Sequence, residues 1–325
     1  MQKPKEITVS RFRNTKLKAS VNIPLFQELR NIKNGKYRIQ VESCRSALND
    51  ENLELYAILK SQLPCVTFCG LFDNGHRIED LTHYNQLMVV DIDHLSKEEI
   101  EALSISLKKD SHLLSFWLSP SGNGFKGLVP TNNNIEQHRE TFNSLRVYFL
   151  DTYGIELDKS GSDVSRLCFS SWDPNIYYNP EALAYNEVLD FRLEKKDPKL
   201  PVRPALLSKN AHATEGLNSG KDRELIKRLI RYLQKNNCSI TGNYENWVKA
   251  ALAISYTFSY DVGEKYFMQL CRLDGPDHDE QKSQALLKYC YNRRKTGASE
   301  TISMATIVYL AKQMGFIMTK AARKT

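Results

Sequence analysis

The stretch LMVVDIDH, Leu87 to His94, runs from four apolar residues directly into Asp91 and Asp93. A short, continuous apolar run is typical of a strand that is buried on both faces. Because side chains alternate along a strand, Asp91 and Asp93 are expected on the same side of the sheet. We therefore predict a buried strand that ends in two neighbouring carboxylates.

Two carboxylates on one face repel each other, and in a partly desolvated site this repulsion raises the pKa of one of them. A divalent cation bound between them removes the repulsion. A turn followed by a helix is the alternative interpretation, because Ser96 followed by Lys97, Glu98 and Glu99 is typical of a helix N-terminus. The pair alone leaves both interpretations open.

Length and composition limit the class of protein. The chain has 325 residues, of which 41% are hydrophobic, and this predicts a soluble, globular protein of two domains. The N-terminus has no apolar run of signal-peptide length, and no stretch approaches the apolar length of a transmembrane helix. The seven cysteines are odd in number and scattered, which suits a reducing compartment. We expect a cytoplasmic protein without a membrane partner.

The charge is unevenly distributed. Residues 1–45 carry 11 Lys and Arg against 3 Asp and Glu, residues 46–215 carry 16 against 25, and residues 216–325 carry 18 against 10. Two basic segments therefore enclose an acidic one. Basic surfaces favour a polyanion such as nucleic acid, and an acidic centre suits a divalent metal. Solvated helix faces are the alternative explanation of the same pattern.

Strand and helix patterns are interspersed over residues 1–190. Strand patterns occur at 7–10, 66–72, 87–91, 113–118, 127–130, 155–158 and 165–173, and helical patterns lie within 24–63 and at 96–108 and 136–153. This mixture predicts an α+β domain with flanking helices. Residues 191–218 are low in apolar side chains and rich in Lys, Pro, Asn and Ser, which predicts a linker.

Residues 219–325 show helical patterns only, which predicts a small, basic, all-α domain. Its aromatic and basic side chains suit either nucleic-acid binding or a helical core: Tyr232, Tyr289, Tyr291, Arg293 and Arg294. Aromatic residues at this spacing more often belong to a core. The sequence leaves both interpretations open.

A loop rich in glycine and serine connects the predicted strands 113–118 and 127–130. The backbone N–H groups around Ser121, Gly122 and Gly124 give room for a close anion, as in a phosphate nest. Lys126 adds a positive charge where the loop re-enters the sheet. An ordinary glycine-rich hairpin is the structural alternative.

Two further charged residues belong to later predicted strands. Asp158 ends the predicted strand 155–158, and Arg166 lies within the predicted strand 165–173. The first is also compatible with a simple turn, and the second with an ion pair to Asp163.

These features, in this order, resemble the archaeo-eukaryotic primase superfamily, the primase-polymerases. The similarity is carried by Asp91-x-Asp93, by Ser121-Gly122-x-Gly124-x-Lys126, and by Asp158 followed eight residues later by Arg166. It is greatest to the branch found on conjugative and other mobile elements, in which a primase-like domain often precedes a helicase of the virulence-protein-E type. Residues 219–325 resemble the helical primase C-terminal domain of that branch.

The resemblance implies a mixed or antiparallel RRM-like sheet and a two-metal site for Mg²⁺ or Mn²⁺ on Asp91, Asp93 and Asp158. Asp163 or Asp173 remains an alternative third ligand. The family's contacts to the triphosphate of the nucleotide substrate fall here on Ser121, Gly122, Gly124, Lys126 and Arg166. The implied activity is DNA primer synthesis or extension on a single-stranded template, with a replicative helicase as a partner in trans; the choice of NTP or dNTP stays open.

One position departs from the pattern, since most of the superfamily has histidine where this chain has Lys126. A lysine keeps its charge at neutral pH, so phosphate binding is retained while a proton-donating role is placed in doubt. A primase-like DNA-binding replication or loading module without synthesis is the alternative function. A rolling-circle nickase would need a His-x-His pair, which this sequence lacks.

Overall fold

The structure is a computed structural model that describes residues 7–191, 207, 209–294 and 302–318. In these ranges the chain is α+β, with antiparallel strand pairs and ten α-helices. The predicted α+β class and helical C-terminal region are confirmed, and the described strand pairs are antiparallel rather than mixed. Most of the predicted linker, residues 192–206 and 208, lies outside the described residues.

The chain forms two compact units, the first from residues 1–146 and 156–188 and the second from 147–155 and 189–325. The strands of the first unit are β1 (Thr8–Phe12), β2 (Ser20–Pro24), β3 (Cys65–Thr67), β4 (Gly70–Phe72), β5 (Leu81–Tyr84), β6 (Leu87–Ile92), β7 (Ser115–Leu118), β8 (Phe125–Pro130), β9 (Cys168–Phe169) and β10 (Tyr177–Tyr178). Its helices are α1 (Leu25–Lys33), α2 (Arg38–Asn49), α3 (Leu53–Gln62), α4 (Lys97–Leu107) and the start of α5 (His138–Tyr153).

The strands of the first unit form three sheets. One has the strand order β2-β1-β3-β9, the second has β10-β7-β8-β6, and the third is the hairpin β4-β5. All six residues of β6 are buried, which confirms the predicted strand buried on both faces. Ser96 and Glu99 form a capping box at the start of α4, so the predicted helix start after the aspartates is also confirmed.

The structure corrects several predicted elements of the first unit. Residues 155–158 form no strand, and the predicted strand 165–173 contains only the two-residue β9. Residues 66–72 belong to two strands rather than one, because the chain leaves β3 before it pairs with β5 as β4. Short polar segments near Asp158 and Asp163 bond to their own backbone, and this competes with strand pairing.

The second unit is helical in its described part. Its helices are the last turns of α5, α6 (Gly220–Lys235), α7 (Tyr244–Thr257), α8 (Tyr260–Cys271), α9 (Glu280–Arg293) and α10 (Met304–Gln313). The helical patterns of residues 219–325 predicted a helical region, and α6 to α10 confirm it. None of the helices in the described residues combines the length and the apolar composition that a membrane span requires.

Two of the candidate nucleic-acid contacts in the second unit belong to its core. The Tyr291 side chain is 0% exposed, and its hydroxyl donates to the carbonyl oxygens of Phe258 and Ser259 at 2.9 and 3.1 Å. Arg294 is also buried and donates to the Ser255 carbonyl at 2.9 Å. For these two residues the core interpretation is correct.

A buried carboxylate joins the helices of the first unit to its sheet. Glu28 of α1 is 0% exposed and accepts from Asn31 Nδ2 at 2.9 Å, Tyr37 Oη at 3.2 Å and Ser170 Oγ at 2.9 Å. Burial raises the pKa of Glu28, although these hydrogen bonds and the charge of Arg11 work to lower it. The three donors position the start of α2 and the segment after β9.

Replacing Glu28 tests this network. Glu28→Ala leaves buried donors without an acceptor and is expected to lower the free energy of unfolding by about 1–3 kcal/mol. Glu28→Gln keeps one acceptor oxygen and a polar group at the other position, and it removes the charge, so it is expected to retain wild-type stability at low pH. Because the native carboxyl binds its proton more tightly than the unfolded one, wild-type stability falls as pH rises above 4.5 towards the raised pKa. Urea unfolding across pH should show this fall in wild type and not in Glu28→Gln; identical pH profiles would contradict it.

Candidate functional site

Asp91 and Lys126 form an ion pair inside the sheet. They are direct partners in the antiparallel register of β6 and β8, and Lys126 Nζ donates to Asp91 Oδ2. The two residues are only 6% and 8% exposed. Lys126 thus points at the first aspartate of the predicted acid pair, rather than into the open glycine loop.

The ion pair uses only one of the two carboxylate oxygens of Asp91. Burial works to lower the pKa of Lys126, but the neighbouring Cys168 sulfur and the Asp91 carboxylate outweigh it and raise that pKa. Lys126 therefore stays charged. Asp91 Oδ1 is buried, and no hydrogen-bond partner for it is found in the described residues. A second cation or donor at this oxygen would complete the coordination of Asp91.

Asp93 lies one residue beyond β6, where the strand reaches the surface. Partial burial raises the pKa of its carboxyl, and repulsion from Asp91 raises it further, whereas Lys126 and Lys60 lower it. This agrees with the expected repulsion between the two aspartates. Bound positive charge at Asp93 would relieve it.

The glycine loop lies directly against the acid pair. A Cβ atom on Gly124 would lie 2.1 Å from the carbonyl oxygen of Ile92 and 3.1 Å from Cα of Asp93, so a side chain has no room there. Leu95 N–H also donates to the Asn123 carbonyl at 2.9 Å. The loop and the two aspartates are therefore neighbours in the structure.

Inside the loop, part of the expected phosphate nest is already bonded. Gly122 has φ +79° and donates its N–H to the Ser119 carbonyl at 3.0 Å, which closes a tight turn. Ser121 Oγ lies 2.8 Å from Ser119 Oγ and donates to Asn123 Oδ1. The amide of Gly122 is thus committed to the loop itself.

Asp158 contacts Asp91 through its backbone N–H group. Its N–H donates to the Asp91 carbonyl at 3.0 Å, and its Oδ1 accepts from Ser160 N–H at 2.9 Å, where it caps a 3-10 turn at Lys159–Ser162. Burial works to raise the pKa of Asp158, but the Ser160 hydrogen bond and the charges of Arg166 and Lys126 lower it overall. Asp158 therefore stays ionised beside Asp91, with the exposed Arg166 in electrostatic range.

The two alternative third ligands have structural roles. Asp173 is buried and accepts from the N–H groups of Leu118 and Asn175 at 2.9 and 2.8 Å. Asp163 accepts from the backbone and hydroxyl of Ser165 at 2.9 and 2.8 Å. Within the described ranges, no group of three or more His, Cys, Asp or Glu side chains lies close enough to hold a metal ion. The three candidate aspartates are adjacent without forming a closed metal cage.

Two cations at this site were not predicted from the sequence. Arg45 of α2 donates from Nη2 to the Ser119 and Trp172 carbonyls at 3.1 and 3.0 Å, and its Nε is buried without a partner in the described chain. Lys60 of α3 lies 5.6 Å from the Phe169 ring centroid and lowers the pKa of Asp93. Both come from helices distant in sequence, so no local motif marks them.

Comparison with known families gives a match over part of the chain. The model of the family described as BT4734-like, N-terminal domain, matches residues 58–178, which is under half of the chain. The matched region runs from α3 to β10 and includes the aspartates, the glycine loop and Arg166. No curated protein and no solved structure matches the chain.

Breaking the buried ion pair tests its place in the fold. Lys126→Met leaves a buried carboxylate uncompensated and is expected to lower the free energy of unfolding by about 3–5 kcal/mol. The double variant Asp91→Leu/Lys126→Met replaces the pair with apolar groups and should recover most of this loss. Glu42→Gln, which breaks the exposed pair with Arg38, is the control and should cost about 1 kcal/mol or less. Equal losses for both pairs in urea unfolding would contradict the assignment.

Proposed function

We propose that this protein is a DNA primase-polymerase that carries out metal-dependent, template-directed nucleotidyl transfer in the replication of a mobile element. The observation that carries the proposal is the close approach of Gly124 to the backbone of Ile92 and Asp93. It brings a glycine loop suited to a triphosphate against two carboxylates suited to divalent cations. Two-metal nucleotidyl transfer requires ligands for the cations next to a site for the triphosphate.

The order of elements supports an RRM-like core for this activity. β6, α4, β7, β8 and α5 follow one another as in the first five elements of a β-α-β-β-α-β unit, and β8 lies between β6 and β7 in the sheet. The segment after α5 returns to β6 through the bond from Asp158 N–H to the Asp91 carbonyl. The acid pair lies at the end of the first strand of that unit.

The residues present suit Mg²⁺ or Mn²⁺ in kind. Both ions prefer oxygen ligands, and Asp91 Oδ1 has no partner in the described chain. The pKa of Asp93 is raised by partial burial and then by repulsion from Asp91, and a bound cation would relieve that repulsion. Asp91, Asp93 and Asp158 would hold the ions. When bound, they would lower the pKa of the attacking 3′-hydroxyl and stabilise the leaving group.

The other side chains hold and orient these groups. Lys126 donates to Asp91 Oδ2 and fixes that oxygen, while Arg45 fixes the loop through the Ser119 carbonyl. Arg166 is exposed beside Asp158 and is available to the nucleotide triphosphate, whether NTP or dNTP. Single-stranded DNA template and primer are the proposed macromolecular substrates, and a replicative helicase acting in trans is the proposed partner of the second, helical unit.

A second function is favoured by one observation. Lys126 already compensates the charge of Asp91 without a metal ion. A primase-like DNA-binding replication or loading module would retain this arrangement without synthesis.

Removing single carboxylate charges distinguishes the two functions. Asp91→Asn and Asp93→Asn are each expected to abolish primer synthesis and extension on single-stranded template with Mg²⁺ or Mn²⁺, because both would hold the ions. Glu101→Gln, an exposed residue of α4, removes the same charge and should leave synthesis unchanged. Incorporation of labelled nucleotides measures the result.

The same assay selects the third ligand. Asp158→Asn should eliminate synthesis, whereas Asp163→Asn keeps an acceptor for Ser165 and should remain active. The opposite result would move the ligand to Asp163. Full synthesis by Asp93→Asn would disprove the catalytic site, and template binding by a wild type that never synthesises would establish the loading module instead.

A further inference from the structure

A groove of about 780 Å³ runs beside α1 in the first unit. Its walls include the ring of Phe26, the amide of Asn31 and the cations Arg30 and Lys36, and no carboxylate is found among the described residues that line it. Phe26, Arg30 and Lys36 are all exposed. The groove is therefore positively charged and partly aromatic.

A stacked tryptophan continues this surface. Gly35 separates the groove-lining residues Asn34 and Lys36, and a Cβ atom placed on it would lie 3.3 Å from the Trp172 indole nitrogen. Trp172 is half-exposed, and the Arg38 guanidinium lies 4.5 Å from its ring centroid. The pair of Arg38 with Glu42 is exposed, so it holds the arginine only weakly.

The surface leads from Trp172 to the acid pair. Arg45 bonds to the carbonyl oxygens of both Trp172 and Ser119, and its Nε lies 3.2 Å from the Cβ position of Gly122. The same loop reaches Asp93 through Gly124. These direct contacts trace a path from the groove past the tryptophan to the aspartates.

We propose that a single strand of nucleic acid binds along this path, with its phosphates on Arg30, Lys36 and Arg38 and a base stacked near Trp172. Arg30 and Lys36 have no carboxylate among the described residues that line the groove, and such cations favour a polyanion. Exposed aromatic faces accept unpaired bases, which a duplex keeps stacked internally. The identification of the strand as template rests on the proposed function. Binding itself requires neither metal nor synthesis.

Charge reversal in the groove tests the site. Arg30→Glu/Lys36→Glu should weaken binding of a labelled single-stranded oligonucleotide by roughly tenfold or more, because phosphate contacts are lost. The readout is fluorescence anisotropy in EDTA without nucleotides. Lys108→Glu/Lys109→Glu makes the same change in net charge at exposed residues and should bind as wild type does.

The control residue Lys108 lies on the face of the sheet opposite to the groove. Tyr177 and Tyr178 are successive residues of β10, so their side chains point to opposite faces. The ring centroids of Phe26, in the groove, and Tyr178 lie 5.8 Å apart. The Tyr177 hydroxyl, on the opposite face, donates to the Lys108 carbonyl at 3.1 Å. Equal weakening by both double variants would mean a general charge effect and would overturn the site.

Tryptophan fluorescence tests stacking without depending on a disruptive truncation. Trp117 is fully buried, so a Trp247→Phe background leaves Trp172 as the accessible indole. Oligonucleotide should quench its emission, and Trp172→Phe in that background should remove the quenching. Unchanged emission at saturating oligonucleotide, or competition by poly-glutamate as effective as that by oligonucleotide, would overturn the stacking proposal.

These outcomes separate the inference from the proposed function. Groove-dependent binding without any primer synthesis would support the strand site and contradict the primase-polymerase. If wild type synthesises primers and the groove variant binds DNA and extends primers equally well, the enzyme is supported and the strand site is contradicted. A wild type that binds no single strand overturns the inference.

Discussion

The buried pair of Asp91 and Lys126 is the constraint on which the first unit depends. A lone charge in this sheet would carry a large desolvation cost, whereas two opposite charges at directly opposed positions satisfy each other. A one-residue slip of β6 against β8 would separate them and turn their side chains to the wrong faces. The pair therefore favours a single register, and that register determines where the loop before β8 meets the end of β6.

Around this register, distant segments converge on one small region. Arg45 joins α2 to the glycine loop, Glu28 joins α1 to the segment after β9, and Asp158 returns the chain to β6 through its amide. Each link is a polar group satisfied by a partner far away in sequence. Such links hold loops in place where apolar packing alone would leave several arrangements of similar energy.

The sequence was informative where one physical requirement dominated. Four apolar residues before Asp91 predicted the buried strand, the pattern from Ser96 predicted the start of α4, and apolar periodicity predicted the helices of the second unit. It was misleading where local bonds compete with pairing: residues 155–158 read as a strand, yet Asp158 caps a turn. It gave no signal for Arg45, whose role depends on α2 being placed against the loop, or for the direction of Lys126, which depends on strand register.

Gly124 has a consequence for comparing this chain with its relatives. Since the Ile92 carbonyl occupies the position of any Cβ there, a larger residue can be accepted only if the loop or the aspartate-bearing strand has moved. The identity of this one residue therefore serves as a diagnostic character in an alignment. A relative with glycine at this position can share the geometry of the acid pair, and a relative with a side chain there has diverged in backbone structure, whatever acids it retains.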